Sequence, residues 1–257
     1  MNVKIVSFIF LPFILFALNV SVTILPQKGV IKAIGKDKVN VHVMVPPGVS
    51  PAIYSPSFKD LKKLKSSKIY FYIGVPFDKK YLSKIKELNK NIELVDFGRY
   101  IKKDKNPHIW LSPSLLMLQA KVVLNTLIKN DPSNKRFYVK NFKEYINKLN
   151  LLEERGFSNI KQSSFITFHP SFYYFAKDFL IKEVAIEKEG KSPSLAYLDK
   201  IIKLAKKENI KTVIISKEFP KKYATIVANK INAKVVTISP LNEDSIKTIN
   251  LLIEALK

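Results

Sequence analysis

Two short phrases carry most of the chemistry this sequence offers: Asn106-Pro107-His108-Ile109-Trp110-Leu111-Ser112-Pro113 and Phe168-His169-Pro170-Ser171-Phe172-Tyr173-Tyr174-Phe175. Each sets a lone histidine after a predicted strand or loop and before a predicted helix. The chain holds only three histidines, so two in matched settings about sixty residues apart argue for a pair. Imidazole is a common ligand of first-row transition metals. The pair therefore predicts a divalent metal site between two halves of the protein. The third, His42, alternates with Val41 and Val43 along a predicted strand, which turns it to the opposite side, toward the surface or a packed helix.

The elements that must position these residues follow from apolar patterning. Runs rich in Val and Ile predict strands over 20–25, 39–45, 69–73 and 92–96, with helices near 29–35, 58–66 and 78–89. A second series predicts strands over 164–168, 183–186, 212–216 and 234–238, with helices near 170–179, 194–208, 221–231 and 243–256. Strand–helix alternation, twice, predicts an α/β protein of two lobes, each a small parallel sheet flanked by helices. Between the series, Asp131-Pro132 reads as an N-cap with proline at the first helical position. Phe137, Asn141, Tyr145, Leu149 and Leu152 then keep a helical spacing, and Gly156 can end the run. The stretch 133–155 would be roughly 34 Å long, a strut between lobes that limits their relative motion. The divisions expected are 1–21 export signal or anchor, 22–130 N-terminal lobe, 131–158 linking helix and 159–257 C-terminal lobe.

The 257 residues include no cysteine, which excludes disulfides, cysteine zinc sites and thiol nucleophiles. Lys4 precedes an uncharged apolar run over 5–18, interrupted by Pro12, too short for a membrane span and suited to a signal sequence. An exported, periplasmic protein is expected; the alternative is an uncleaved anchor, because no clean small-x-small cleavage site follows, although Ala17 or Ser21 could end the signal. The net charge of +23 rests on lysines, with Arg99, Arg136 and Arg155 the only arginines. Lysines scattered over nearly every predicted helix read as a solvated surface rather than a nucleic-acid face, which favours arginine. A polyanion or anionic membrane surface is the alternative partner.

Ligands of open parallel sheets bind outside the carboxyl ends of the strands. The loops there are the proline-fixed segment 46–56, those carrying His108 and His169, and Ser239-Pro240-Leu241, four loops from two lobes that converge on one cleft. The segments Val45-Pro46-Pro47-Gly48-x-Ser50-Pro51-x-x-Tyr54, Pro107-His108-Ile109-Trp110-Leu111-Ser112-Pro113, Phe168-His169-Pro170 and Ala185-Ile186-Glu187-x-Glu189-Gly190-Lys191-x-Pro193-Ser194 are specific in combination. Through nearly the whole mature length, the chain resembles the zinc/manganese-type solute-binding proteins of ABC importers. The resemblance implies capture of zinc or manganese in the cleft, delivery to a permease in the inner membrane, and two pseudo-symmetric lobes bridged by a long helix. It also implies ligands at four positions, of which His108 and His169 are kept. Ala52 stands where the family usually has histidine, and Ser239 where it usually has aspartate. Methyl offers no donor atom and a neutral hydroxyl is a poor zinc ligand, whereas zinc wants at least three protein donors. The His/Asp-rich loop of many zinc members is replaced by Arg99-Tyr100-Ile101-Lys102-Lys103-Asp104-Lys105, which would repel cations.

Four acids are possible substitute ligands. Asp78 follows the third strand, Glu218 follows the seventh, and Glu243 and Asp244 lie just past Ser239. Asp78 and Glu243 also suit the ordinary role of helix N-terminal acids. Trp110, beside His108, is expected to wall the cleft, and the aromatic run 172–175 to pack in the core. Gly190-Lys191-Ser192 resembles the end of a phosphate-binding loop, but Ala185 stands where its first glycine is required. Motifs of hydrolytic enzymes are absent, so a non-enzymatic receptor, acting as a monomer, is the leading expectation. The alternative is a degenerate member that binds no metal and serves as a protein-interaction partner or carries another solute.

Overall fold

The computed structural model describes residues 17–102, 104, 106–187 and 191–257. Residues 1–16, which hold most of the apolar run expected of an export signal, Lys103 and Lys105 of the basic loop, and Glu189-Gly190 lie outside the described residues.

The N-terminal sheet consists of β1 (Leu18–Val22), β2 (Val39–Val43), β3 (Ile69–Tyr72) and β4 (Glu93–Asp96), all parallel, in the order β2-β1-β3-β4. The C-terminal sheet repeats this order as β6-β5-β7-β8, again all parallel, from β5 (Ser164–Thr167), β6 (Lys182–Ala185), β7 (Thr212–Ile215) and β8 (Lys234–Thr237). Parallel sheets need helices on both faces, so their inner strands are largely buried. In β5 and β7 every residue is buried. The helices are α1 (Leu25–Gly35), α2 (Phe58–Leu64), α3 (Pro76–Leu88), α4 (Pro113–Asn130), α5 (Lys135–Asn159), α6 (Tyr173–Asp178), α7 (Leu195–Lys207), α8 (Lys222–Ile231) and α9 (Ser245–Ala255). No helix among the described residues is long and apolar enough to cross a membrane.

The first strand begins at Leu18, earlier than the patterning suggests, and it is the central strand, paired with both β2 and β3. A signal boundary at residue 21 thus falls inside it, and removing 18–21 would strip the sheet of its middle.

The long helix also differs from a lone strut. α5 continues through Gly156 to Asn159, and it packs on α1 and α4 from the first lobe and on α9 from the second. Gly156 is there for close approach: a Cβ would stand 2.1 Å from the Phe179 ring just past the end of α6. Gly29 in α1 does the same, since a Cβ would meet the Glu243 carbonyl oxygen at 1.9 Å. One buried core runs from the first sheet (Val22, Phe71, Val95) through α4 and α5 (Leu116, Val123, Tyr145, Leu149) to Phe165, Ile214, Ile249 and Leu252 of the second lobe. A smaller core, around Ile166, Val213, Leu198 and Val227, lies under α7 and α8. Each buried aliphatic side chain contributes about 1.5–3 kcal/mol, so the shared core ties the lobes more firmly than a single helix could.

Candidate metal centre

Between the carboxyl ends of the two sheets lies a cavity of about 690 Å³. It is walled by the proline-fixed loop after β2, the loops carrying His108 and His169, the loop after β6, and the segments around Glu218 and Pro240. His108 comes from the first lobe and His169 from the second, and their rings meet edge to face with centroids 5.1 Å apart.

Both imidazoles are anchored through Nδ1. The Asn106 side-chain amide donates to the Pro170 carbonyl at 2.6 Å, a contact that crosses between lobes. That fixes Asn106 Oδ1 as an acceptor, and it receives the His108 backbone N–H at 2.9 Å and the His108 Nδ1 at 2.6 Å. His108 therefore carries its proton on Nδ1 and keeps a lone pair on Nε2. Burial, and then the neighbouring His169, push the His108 imidazole down to about 3, so it stays neutral at ordinary pH although part of its surface opens to the cavity. His169 Nδ1 lies 3.1 Å from the Glu187 carboxylate, and its ring stacks on Phe219 with centroids 4.5 Å apart. A carboxylate or carbonyl holding the far nitrogen is the usual support of a metal-binding histidine, because it fixes tautomer and ring orientation.

Local sequence explains these placements. Ser112 caps α4 by accepting from the Leu115 N–H at 3.1 Å, and Pro113 fills the first helical position, so the turn with His108 ends at a fixed point. Asp178 of α6 accepts from the Ser112 hydroxyl at 2.5 Å and the Ser114 hydroxyl at 2.9 Å, which pins that turn to the second lobe. Trp110 walls the cavity as expected and is buried, and its indole N–H donates to the Pro240 carbonyl at 2.7 Å.

The four candidate substitutes separate cleanly. Asp78 is buried and turned away from the cavity: it accepts from the Thr23 hydroxyl at 2.5 Å and from the backbone N–H groups of Ile73 at 3.0 Å and Gly74 at 2.8 Å. Its carboxylate braces the end of β3 against α3, and burial raises its pKa against the pull of these donors. Glu243 pairs with Lys28 at 2.8 Å. Asp244 caps α9 through the Lys247 N–H at 3.0 Å. None of these three lines the cavity. Glu218 does, and its carboxylate accepts from the hydroxyls of both Ser216 and Ser239. Ser239 thus serves as a donor to Glu218, while Ala52 lines the cavity without a donor atom. As they stand, no three His, Cys, Asp or Glu side chains among the described residues are grouped closely enough to hold a metal ion. His42 faces α2, where burial and then Lys63 lower its pKa, and its Nε2 has no hydrogen-bond partner among the described residues.

Sequence reasoning missed Asn106, Glu187 and Phe219 as supports of the histidines. Position after a strand was the available signal for Glu187 and Phe219, but their pairing with His169 arises only across strands. Another overlooked group is Glu183 on β6. Its Oε1 accepts from the Thr167 hydroxyl at 2.9 Å and the Phe172 N–H at 3.0 Å, on either side of His169. Burial pushes its pKa up to about 7. Between about pH 4.5 and 7 the folded protein then keeps a proton that the unfolded chain releases, so this group's contribution to stability falls as pH rises through that window. Glu183→Gln can satisfy the same two donors with its amide oxygen. The melting temperature of the variant, measured from pH 4.5 to 8, is expected to lose that decline and exceed the parent's at pH 8.

The chain has clear relatives. A family model described as ZnuA, zinc-uptake complex component A, periplasmic, matches residues 20–255. The chain is 30% identical over 250 residues to the high-affinity zinc uptake system protein ZnuA of Bacillus subtilis (strain 168), a match covering 87% of this chain and 78% of that protein. It is 32% identical over 185 residues to the manganese ABC transporter substrate-binding lipoprotein PsaA of Streptococcus anginosus, covering 62% of this chain and 60% of that protein. A crystal structure of ZnuA superimposes with a TM-score of 0.88 at 32% identity over 93% of this chain and 97% of that one. A deletion mutant of ZnuA with zinc bound gives 0.86 at 32% identity over 94% and 99%.

Proposed function

The chain belongs to the family of periplasmic zinc-uptake components, and we propose that it captures a divalent transition metal of the zinc or manganese class in the cleft and hands it to the permease of an ABC importer. The observation that carries this reading is the pair His108 and His169, brought together from opposite lobes with both Nδ1 atoms tied down. His108 Nε2 and His169 Nε2 are the retained donors. Glu218 supplies the carboxylate, because it lines the cavity and its oxygen reaches the hydroxyl of Ser239, the position where the family usually carries aspartate. The protein is a binding component rather than an enzyme. It acts outside the cytoplasmic membrane, with a leader that ends no later than Ala17, since β1 starts at Leu18.

Thermal unfolding of the metal-stripped protein, titrated with zinc, manganese, iron(II), cobalt and nickel, tests this: a ligand that binds only the folded state raises its stability. A second reading, a member that has lost metal and carries another solute or binds a protein, is favoured by the lack of three grouped ligands among the described residues. It requires that no metal raise the melting temperature.

The position lost to Ala52 gives an independent check. Ala52→His, alone or with Ser239→Asp, restores a donor on the cavity wall and is expected to tighten zinc binding by about tenfold or more, roughly 1.4 kcal/mol, in a calorimetric titration. An unchanged affinity would mean that the loop carrying Ala52 does not reach the bound metal.

A further inference from the structure

We propose that the cargo of this cleft is a divalent metal already held by a small chelator with carboxylate and amine or imidazole donors, rather than the hydrated ion alone. The inference rests on the metal-capture reading above and specifies its substrate.

Donor supply is the first argument. The cavity offers two imidazoles and the Glu218 carboxylate, and Ala52 adds only a methyl to its lining. Glu187 is engaged with His169, and Glu218 with two serine hydroxyls. With at most three protein donors, a metal held here keeps coordination positions that water or a chelator must fill. Space is the second argument. A six-coordinate hydrated ion displaces roughly 180 Å³ at about 30 Å³ per water, whereas the cavity measures about 690 Å³. The remainder is room for an organic molecule.

The walls are the third argument. Pro51, Ile53, Trp110, Phe219, Pro220 and Leu241 present apolar surface to that space, of no use to a hydrated dication and suited to the carbon frame of a chelator. Charge is the fourth. Lys191 stands exposed at the cavity edge beside Ser192. An ammonium repels a bare dication and attracts the carboxylates of an anionic chelate. A site for the naked ion gains nothing from a lysine there; a site for a metal carboxylate complex does.

The test is a calorimetric titration of the metal-stripped protein with zinc or nickel chloride alone, with citrate or histidine alone, and with the preformed metal–citrate and metal–histidine complexes. At least one preformed complex is expected to bind about tenfold or more tightly than its metal alone, with neither chelator binding without metal. Lys191→Gln is expected to weaken the complex while leaving the free-metal affinity equal or slightly higher, since the repulsive ammonium is gone and no carboxylate replaces it, and Ala52→His to reverse the preference by supplying a protein donor in the chelator's place. The proposal is overturned if citrate and histidine only reduce binding in proportion to the metal they sequester; metal capture then stands on its own. If no metal binds, free or chelated, the metal-capture reading fails and this inference with it.

Discussion

Replacing His108 and His169 together with alanine is expected to abolish the metal-dependent rise in melting temperature while leaving the metal-free protein folded. Neither imidazole belongs to the shared hydrophobic core, and each hydrogen-bonds through Nδ1 to a partly buried side chain at the cavity wall. The loss of two such bonds costs about 1–3 kcal/mol in all. The metal effect is larger when metal is abundant. Ligand at about a hundred times its dissociation constant stabilises the native state by about 2.7 kcal/mol. At roughly 2–4 °C per kcal/mol for a chain of this size, that is a rise of about 5–11 °C. A differential scan with and without metal reads it directly. Should the double variant keep the full rise, the metal sits elsewhere and the cleft is not the capture site.

The second large effect concerns a residue that the sequence offers as a ligand and the fold uses as a brace. Asp78→Ala removes the acceptor of the Ile73 and Gly74 N–H groups at the end of β3, while the Thr23 hydroxyl keeps the Tyr70 hydroxyl at 2.8 Å as a partner. Each such donor left unsatisfied costs about 1–3 kcal/mol, so the two together reach at least ~2 kcal/mol, a large effect for a single substitution. The melting temperature of the metal-free protein is expected to fall by roughly 4–8 °C, and metal affinity per folded molecule to remain within about twofold. Asp78→Asn keeps an acceptor for the two backbone donors and should cost far less. The opposite pattern, normal stability with weakened metal binding, would return Asp78 to the list of ligands.

These three residues show where the sequence is and is not readable. His108, His169 and Asp78 all follow strands at the carboxyl edge of a sheet, and by position alone all three qualify as ligands. Proline and serine around His108, and proline after His169, fix the local turns, so these histidines could be placed from sequence. Asp78 sits on the third position of α3, where a carboxylate serves equally well to cap backbone donors. Which use prevails depends on the turn that aims the Ile73 and Gly74 N–H groups at it and on Thr23, which meets it only after β1 and β3 pair.

The same division runs through the whole protein. Strand–helix alternation, the two repeated series, the proline-fixed loops and the pair of lone histidines are local patterns, written in the period of the apolar residues and in turn chemistry. They determined an α/β protein of two similar lobes with a site between them. Three things were decided only by tertiary structure. The chain needs Leu18 to start the central strand, because β1 is clasped by β2 and β3 on both sides. The lobes share one core rather than hanging from a strut, because α5 buries residues against α1, α4 and α9 together. And of the acids near the cleft, Glu218 and Glu187 are the ones that line it, because side-chain direction at a loop is set by neighbours from other strands. Apolar spacing along a chain encodes which face is buried; it carries no record of which distant side chain will stand across the gap.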